Sequence, residues 1–129
     1  EQFRRIKRPL MRSLADRAGE GLDRRHLVLV ASALSGEGKT FTATNLAFSL
    51  ALERDIGVLL IDADVAKPQL SREMGLGSAP GLLDALEDPT LDVESLIHGT
   101  DDPSLLFLPA GQPSELANEL LESDRMLEI

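Results

Sequence analysis

An α/β fold, a parallel sheet with helices on both faces, is what this sequence predicts, and three observations carry that expectation. Three apolar runs of strand length, HLVLVAS (His26 to Ser32), VLLIDAD (Val58 to Asp64) and SLLFLPA (Ser104 to Ala110), lie between segments of helical periodicity. The runs are apolar without alternation, as strands buried on both faces of a parallel sheet are. A glycine-rich turn, SGEGKT (Ser35 to Thr40), joins the first run to a helix. Strand, loop, helix and strand then make a βαβ unit, whose crossover is right-handed by a strong rule.

Taken in order, Glu1 to Ala18 reads mostly as helix, with Phe3, Ile6, Leu10 and Leu14 near one face and a kink or late start at Pro9. Gly19 to Arg25 is a polar linker. Phe41 to Arg54 is a helix, because Ala43, Leu46, Ala47, Leu50 and Ala51 repeat at i, i+3, i+4, i+7 and i+8. Gly75 to Gly81 is a loop, its glycines read as turn residues and not as a second phosphate site. Leu82 to Asp88 and Val93 to His98 are short helices separated by Pro89. Ser114 to Met126 is one helix, with Leu116, Leu120 and Leu121 on one side. His26 and His98 have no partner at ligand spacing and read as structural.

Composition narrows the class. With 129 residues and 43% hydrophobic content, the chain can bury a core of its own. It has no Cys, so disulfides and thiolate metal sites are excluded. It has no apolar run near the ~20 residues that span a bilayer, and its start lacks the apolar core of a signal peptide. A cytoplasmic protein is the expectation. The net charge of −9 is uneven: residues 1–25 hold eight Arg or Lys against four Asp or Glu, and the remainder holds five against eighteen. The acidic body argues against nucleic-acid binding. The basic head suits acidic lipid, an acidic partner or a neighbouring copy of the body, although a solvated charged helix has the same composition.

The loop carries the chemistry. Backbone N–H groups curled by glycine cradle phosphate, and the next helix adds the positive end of its dipole. In SGEGKT the candidates for nucleotide contact are Ser35, Gly36, Glu37, Gly38, Lys39 and Thr40, with Phe41 following. Lys39 reaches the outer phosphates and the Thr40 hydroxyl ligates Mg²⁺. The first Gly of G-x-x-x-x-G-K-[ST] is Ala33 here. VLLIDAD places Asp62 and Asp64 at the end of a buried strand, where open α/β sheets bind ligands, and residues two apart share a face. One carboxylate can hold Mg²⁺, directly or through water, and the other can take a proton from an attacking hydroxyl or water. Lys39, Asp62 and Asp64 are therefore the catalytic candidates, and Thr40, Asp62 and Asp64 the metal ligands.

SALSGEGKT followed by VLLIDADVAKP resembles the bacterial tyrosine kinases (BY-kinases) of capsule and exopolysaccharide synthesis, most of all the exosortase-linked autokinases, a branch of the P-loop fold close to the MinD and ParA ATPases. Lys39 and Thr40 match that family's Walker A pair, and Asp62 and Asp64 the two aspartates of its A′ motif. EQFRRIK resembles the family's E-x-x-R-x-x-R segment, which implies a ring-shaped homo-oligomer built through Glu1, Arg4 and Lys7. FLPAGQPSELANELLES, Phe107 to Ser123, resembles its L-P-x-G segment and the helix that follows. Departures are Ser35 in place of Pro, Ala66 in place of Arg with Lys67 next to it, and Leu34 where MinD and ParA relatives have a signature Lys.

The resemblance implies a protein-tyrosine autokinase that uses ATP and Mg²⁺ and regulates polymer assembly and export. It implies a membrane chain-length regulator as activator, which would hold the kinase at the inner membrane from the cytoplasmic side. Residues 1–25 would be the oligomerisation helix and linker, and residues 26–129 a P-loop nucleotide-binding domain that ends before Walker B. The family's tyrosine-rich tail has no counterpart, because the chain has no Tyr. The expectation is an N-terminal portion of a longer kinase domain, inactive alone. A MinD- or ParA-like ATPase and a non-catalytic interaction module are the alternatives.

Overall fold

The computed structural model describes residues 2–15, 27–31, 38–53 and 56–129. The chain divides into two compact units, Glu1–Ile56 and Gly57–Ile129. The linker at Gly19 to Arg25 and the start of the first apolar run at His26 fall outside the described residues.

Two helices are described in the first unit. α1 (Gln2–Ala15) runs through Pro9. Proline has no N–H to give the preceding turn, so the Arg5 carbonyl lacks its ordinary helical donor. α2 (Lys39–Ala51) buries Leu46, Ala47 and Ala51, which lie on the stripe that periodicity predicts. α1 packs on α2, and Lys7 forms an ion pair with Glu53 just past the end of α2.

One expectation fails here. Leu27 to Ala31 forms no strand, and Leu27 and Leu29 are 71% and 84% exposed. The composition is that of a buried strand. A strand, however, is completed by hydrogen bonds to neighbours distant in sequence, and none of the described residues pairs with this segment.

The second unit is built on a three-stranded sheet in the order β1-β3-β2. β1 (Val58–Ile61) and β3 (Leu105–Leu108) are parallel, with Val58 opposite Leu105 and Ile61 opposite Leu108. β2 (His98–Gly99) is antiparallel to β3, with His98 opposite Phe107. The sheet is thus mixed. His98 lies in this strand and does not end a helix; the segment before it is a 3₁₀ turn, Val93–Leu96.

Residues in register share a face, and the two faces differ. Leu105 and Phe107 are fully buried beside partly buried Val58 and Leu60. On the other face Leu108 is buried, while Leu59, Ile61 and Leu106 are 43%, 37% and 42% exposed.

The core of this unit comes from α4 (Leu82–Glu87). Leu82, Leu83, Ala85 and Leu86 cluster with Leu96 and Leu108, and Val65, Ile97, Leu120 and Met126 pack around them. A buried Leu is stabilising by about 1.5–3 kcal/mol, so this short helix anchors the unit although six residues alone would not form one in water.

A short helix that periodicity missed, α3 (Gln69–Glu73), begins after Pro68, whose fixed φ suits a helix start, and carries a Gln69–Glu73 side-chain bond of 2.9 Å. The single helix expected over Ser114 to Met126 is two, α5 (Ala117–Leu121) and α6 (Asp124–Glu128). Ser123 makes the break: its backbone is extended, and its hydroxyl and N–H both donate to the Leu120 carbonyl, at 2.6 and 3.2 Å.

Arg125 ties α6 to the core. Its Nε donates to the Ala85 carbonyl at 3.5 Å and its Nη2 to the Leu91 carbonyl at 3.3 Å. Its ion pair with Glu128, at 3.5 Å, is exposed on the Glu side. Arg125→Ala should cost about 1–2 kcal/mol and Glu128→Ala under about 0.5 kcal/mol. Urea denaturation of both variants checks the ranking, and equal losses would refute it.

After α4, the Thr90 hydroxyl and N–H donate to Asp88 Oδ1 at 2.6 and 2.9 Å. These bonds, the hydroxyl's first, hold the Asp88 carboxyl below its ordinary value. A depressed folded value means stability present above the unfolded pKa and lost as pH falls through the folded one. Thr90→Val should raise the Asp88 titration seen by carboxyl NMR, and an unmoved midpoint would contradict this account.

Candidate nucleotide site

The candidate phosphate loop is described from Gly38 onward; Ser35, Gly36 and Glu37 lie outside the described residues. Gly38 precedes α2 with φ 79° and ψ 21°, a left-handed conformation that a residue with a Cβ rarely takes. It turns the chain so that Lys39 and Thr40 open the helix. The Gly38 carbonyl accepts the first helical bond, from Thr42 N–H at 2.9 Å. The first turn holds no acidic side chain and no N-cap side-chain bond. The positive end of the helix dipole at that turn suits an anion. Lys39 and Thr40 are half-buried, and Phe41 is 68% exposed. Thr44 Oγ1 donates to the Thr40 carbonyl at 2.8 Å and Asn45 Nδ2 to the Phe41 carbonyl at 2.8 Å, which stiffens the turn carrying these residues.

The two candidate aspartates lie just past β1. The Asp62 N–H donates to the Leu108 carbonyl at 3.0 Å, so the residue is fixed by the sheet. Asp62 is 4% exposed. Its Oδ2 accepts from Ser71 N–H at 2.9 Å and from Ser71 Oγ at 2.7 Å, and its Oδ1 from Asp64 N–H at 3.1 Å. Ser71, 2% exposed, in turn accepts from Ala110 N–H at 3.0 Å through its Oγ. A carboxylate this buried needs such donors to offset its lost hydration. Asp64 is partly exposed, and its Oδ1 accepts from Lys67 N–H at 3.2 Å, closing a turn that opens toward α3. The sequence located both aspartates but missed Ser71, which carries no motif and sits nine residues beyond Asp62.

At the N-terminus of α4 the backbone N–H groups bond within the chain. Leu82 and Leu83 N–H donate to the Pro109 and Ala110 carbonyls, each at 2.9 Å. Asp84 Oδ2 collects the N–H groups of Gly81 and Gln112, at 2.8 and 3.1 Å. The Gln112 side chain bonds the Ser78 carbonyl.

The residues fit Mg²⁺ and a nucleoside triphosphate by donor chemistry. Among the described residues no three His, Cys, Asp or Glu could hold a metal by themselves. Mg²⁺ ordinarily takes one or two carboxylates and completes its shell with water and phosphate oxygens. Thr40 offers a hydroxyl, and Asp62 and Asp64 offer carboxylates, all oxygen donors of the kind Mg²⁺ takes. Of the ring-forming candidates, Glu1 and the Arg4 side chain lie outside what is described, and Lys7 pairs with Glu53 of its own chain.

A parallel β-pair with carboxylates just past β1, and a helix entered through glycine, lysine and threonine, are features of a nucleotide-binding domain of the P-loop class. The family is specific: residues 28–103 match the CobQ/CobB/MinD/ParA nucleotide binding domain, and the chain belongs to that family. Among its relatives is EpsB of Ralstonia solanacearum, 36% identical over 104 residues, covering 81% of this chain and 14% of that protein. Another is the tyrosine-protein kinase YwqD of Bacillus subtilis, 33% identical over 129 residues, covering 100% of this chain and 51% of the relative. The crystal structure of the VpsO kinase domain superposes with a TM-score of 0.70 at 33% identity, covering 99% of this chain and 64% of that one. The resemblance to bacterial tyrosine kinases read from the motifs is thus borne out, on a chain that spans about half of YwqD and about a seventh of EpsB.

Proposed function

We propose that this chain is the ATP-binding part of a bacterial protein-tyrosine autokinase that regulates capsule or exopolysaccharide assembly. The observation that carries the reading is the alignment of the whole chain with about half of a tyrosine-protein kinase, in a chain that carries Lys39, Thr40, Asp62 and Asp64. In this reading Lys39 and the start of α2 hold the outer phosphates, and Thr40, Asp62 and Asp64 hold Mg²⁺, which supplies charge neutralisation at the phosphates. One of the two aspartates also orients the attacking hydroxyl. The chain has no Tyr, so the acceptor belongs to other sequence or to a partner.

Oligomerisation through Glu1, Arg4 and Lys7, and a membrane chain-length regulator as activator, complete the proposal. The basic side chains Lys7, Arg8 and Arg12 line one groove with Met11 and Glu53, which gives an acidic partner a surface to meet. No described helix is long and apolar enough to cross a membrane; in this reading the activator holds the kinase at the inner membrane.

The test is incubation of the intact natural protein with γ-labelled ATP and Mg²⁺, followed by phosphoamino-acid analysis. Phosphotyrosine supports the kinase. Free phosphate without phosphotyrosine would favour a MinD- or ParA-like ATPase, and neither product would leave an interaction module.

A further inference from the structure

We propose that Ser71 is a positioning residue for Asp62 and limits that carboxylate to a single open coordination position. The inference rests on the nucleotide-site reading above and goes beyond it by naming which oxygen acts and what fixes it. An ionised carboxylate offers about four lone-pair sites, two on each oxygen. Among the described residues, Ser71 N–H and Oγ–H fill both sites of Oδ2, and Asp64 N–H fills one of Oδ1. One site on Oδ1 is left.

The Ser71 hydroxyl is itself oriented. Its oxygen accepts from Ala110 N–H at 3.0 Å, which turns its hydrogen toward Asp62 Oδ2 at 2.7 Å. Both residues are almost fully enclosed, at 4% and 2% exposure, so solvent offers no substitute donor. Asp62 therefore serves as a one-point ligand, to Mg²⁺ or to a water on it. A two-oxygen grip on the ion is excluded, because Oδ2 has no lone pair to give.

The experiment uses the intact natural protein and the fluorescent nucleotide mant-ADP, titrated once with Mg²⁺ and once with EDTA. The readout is the gain in affinity that Mg²⁺ confers. Removing a residue that orients a metal ligand typically costs 10–100-fold in metal affinity or activity, so Ser71→Ala should cut the gain by about tenfold while leaving the EDTA affinity unchanged. Asp62→Asn should cut it at least as far. The double variant should be no worse than Asp62→Asn alone, since Ser71 acts only through Asp62. Ser71→Thr, which keeps the hydroxyl, should recover most of the gain.

A merely structural Ser71 would weaken binding with EDTA as well, or would add its loss to that of Asp62→Asn; either result overturns the inference. So does an unchanged Mg²⁺ gain in Ser71→Ala. Should that variant fail to fold, Ser71→Cys, close in size but a weak donor, takes its place in the cycle. Absence of mant-ADP binding by the unmutated protein would instead overturn the nucleotide-site reading, and the inference with it.

Discussion

Lys39→Met in the intact natural protein should lower the rate of phosphate transfer by about 100- to 1,000-fold, and this is the largest functional effect expected of any single substitution. Lys39 is the first residue of α2, directly after the left-handed Gly38. A cation there adds a full charge to the helix dipole at the point where the outer phosphates would lie. Methionine is unbranched, similar in length and nearly as good a helix former, so α2 should survive the change. What is lost is charge, which acts most strongly as negative charge redistributes in the transition state. The loss should fall mainly on kcat, with a smaller rise in KM for ATP. Initial-rate labelling over a range of ATP concentrations reads both, and a variant within threefold of the natural rate would remove Lys39 from the mechanism. Circular dichroism of the same preparation guards against unfolding as the cause.

The largest stability effect belongs to Gly81→Ala. The backbone at Gly81 is extended, with φ −161°, so any residue could adopt it. Space is what forbids a side chain. A Cβ there would lie 2.1 Å from the Pro109 carbonyl oxygen and 2.8 Å from the Gly111 nitrogen. These are backbone atoms and cannot swing aside. The same carbonyl accepts the Leu82 N–H, and Asp84 Oδ2 holds Gly81 and Gln112 together. Relieving the clash means pulling α4 off the exit of β3, at the centre of the core. The cost should be about 3 kcal/mol, read as a lower midpoint in urea at unchanged slope. A midpoint equal to that of the natural protein would show that the two loops part freely. Gly111→Ala should also destabilise, for a further reason: its φ of +96° is one that L-residues rarely take.

The elements legible in the sequence are those whose evidence is local. α2 and α4 show helical spacing of apolar residues, and β1 and β3 are apolar runs closed by polar or proline residues. β2 was not legible, because two residues, His98 and Gly99, have no periodicity. Leu27 to Ala31 was legible as apolar but not as paired or unpaired, since pairing is decided elsewhere in the chain. The break between α5 and α6 depends on one serine hydroxyl choosing the Leu120 carbonyl, a choice that composition does not announce. The candidates Lys39, Thr40, Asp62 and Asp64 were recognisable because their motifs are short and tied to strand and helix ends. Ser71 and Asp84 were not. Each works by gathering backbone N–H groups from distant segments, with separations of 39 and 28 residues on the far side.

The bond between Ala110 and Ser71 has a consequence for how the carboxylate is maintained over time. Amide hydrogens exchange with solvent when their segment opens, and linked segments open together. The N–H groups of Asp64, Ser71 and Ala110 belong to three segments yet converge on one carboxylate–hydroxyl pair. They should therefore exchange at a common rate, set by the opening of the loop after β3. Each such opening frees the Ser71 hydroxyl to rotate, so the lifetime of that loop's closed state bounds how long Asp62 stays aimed.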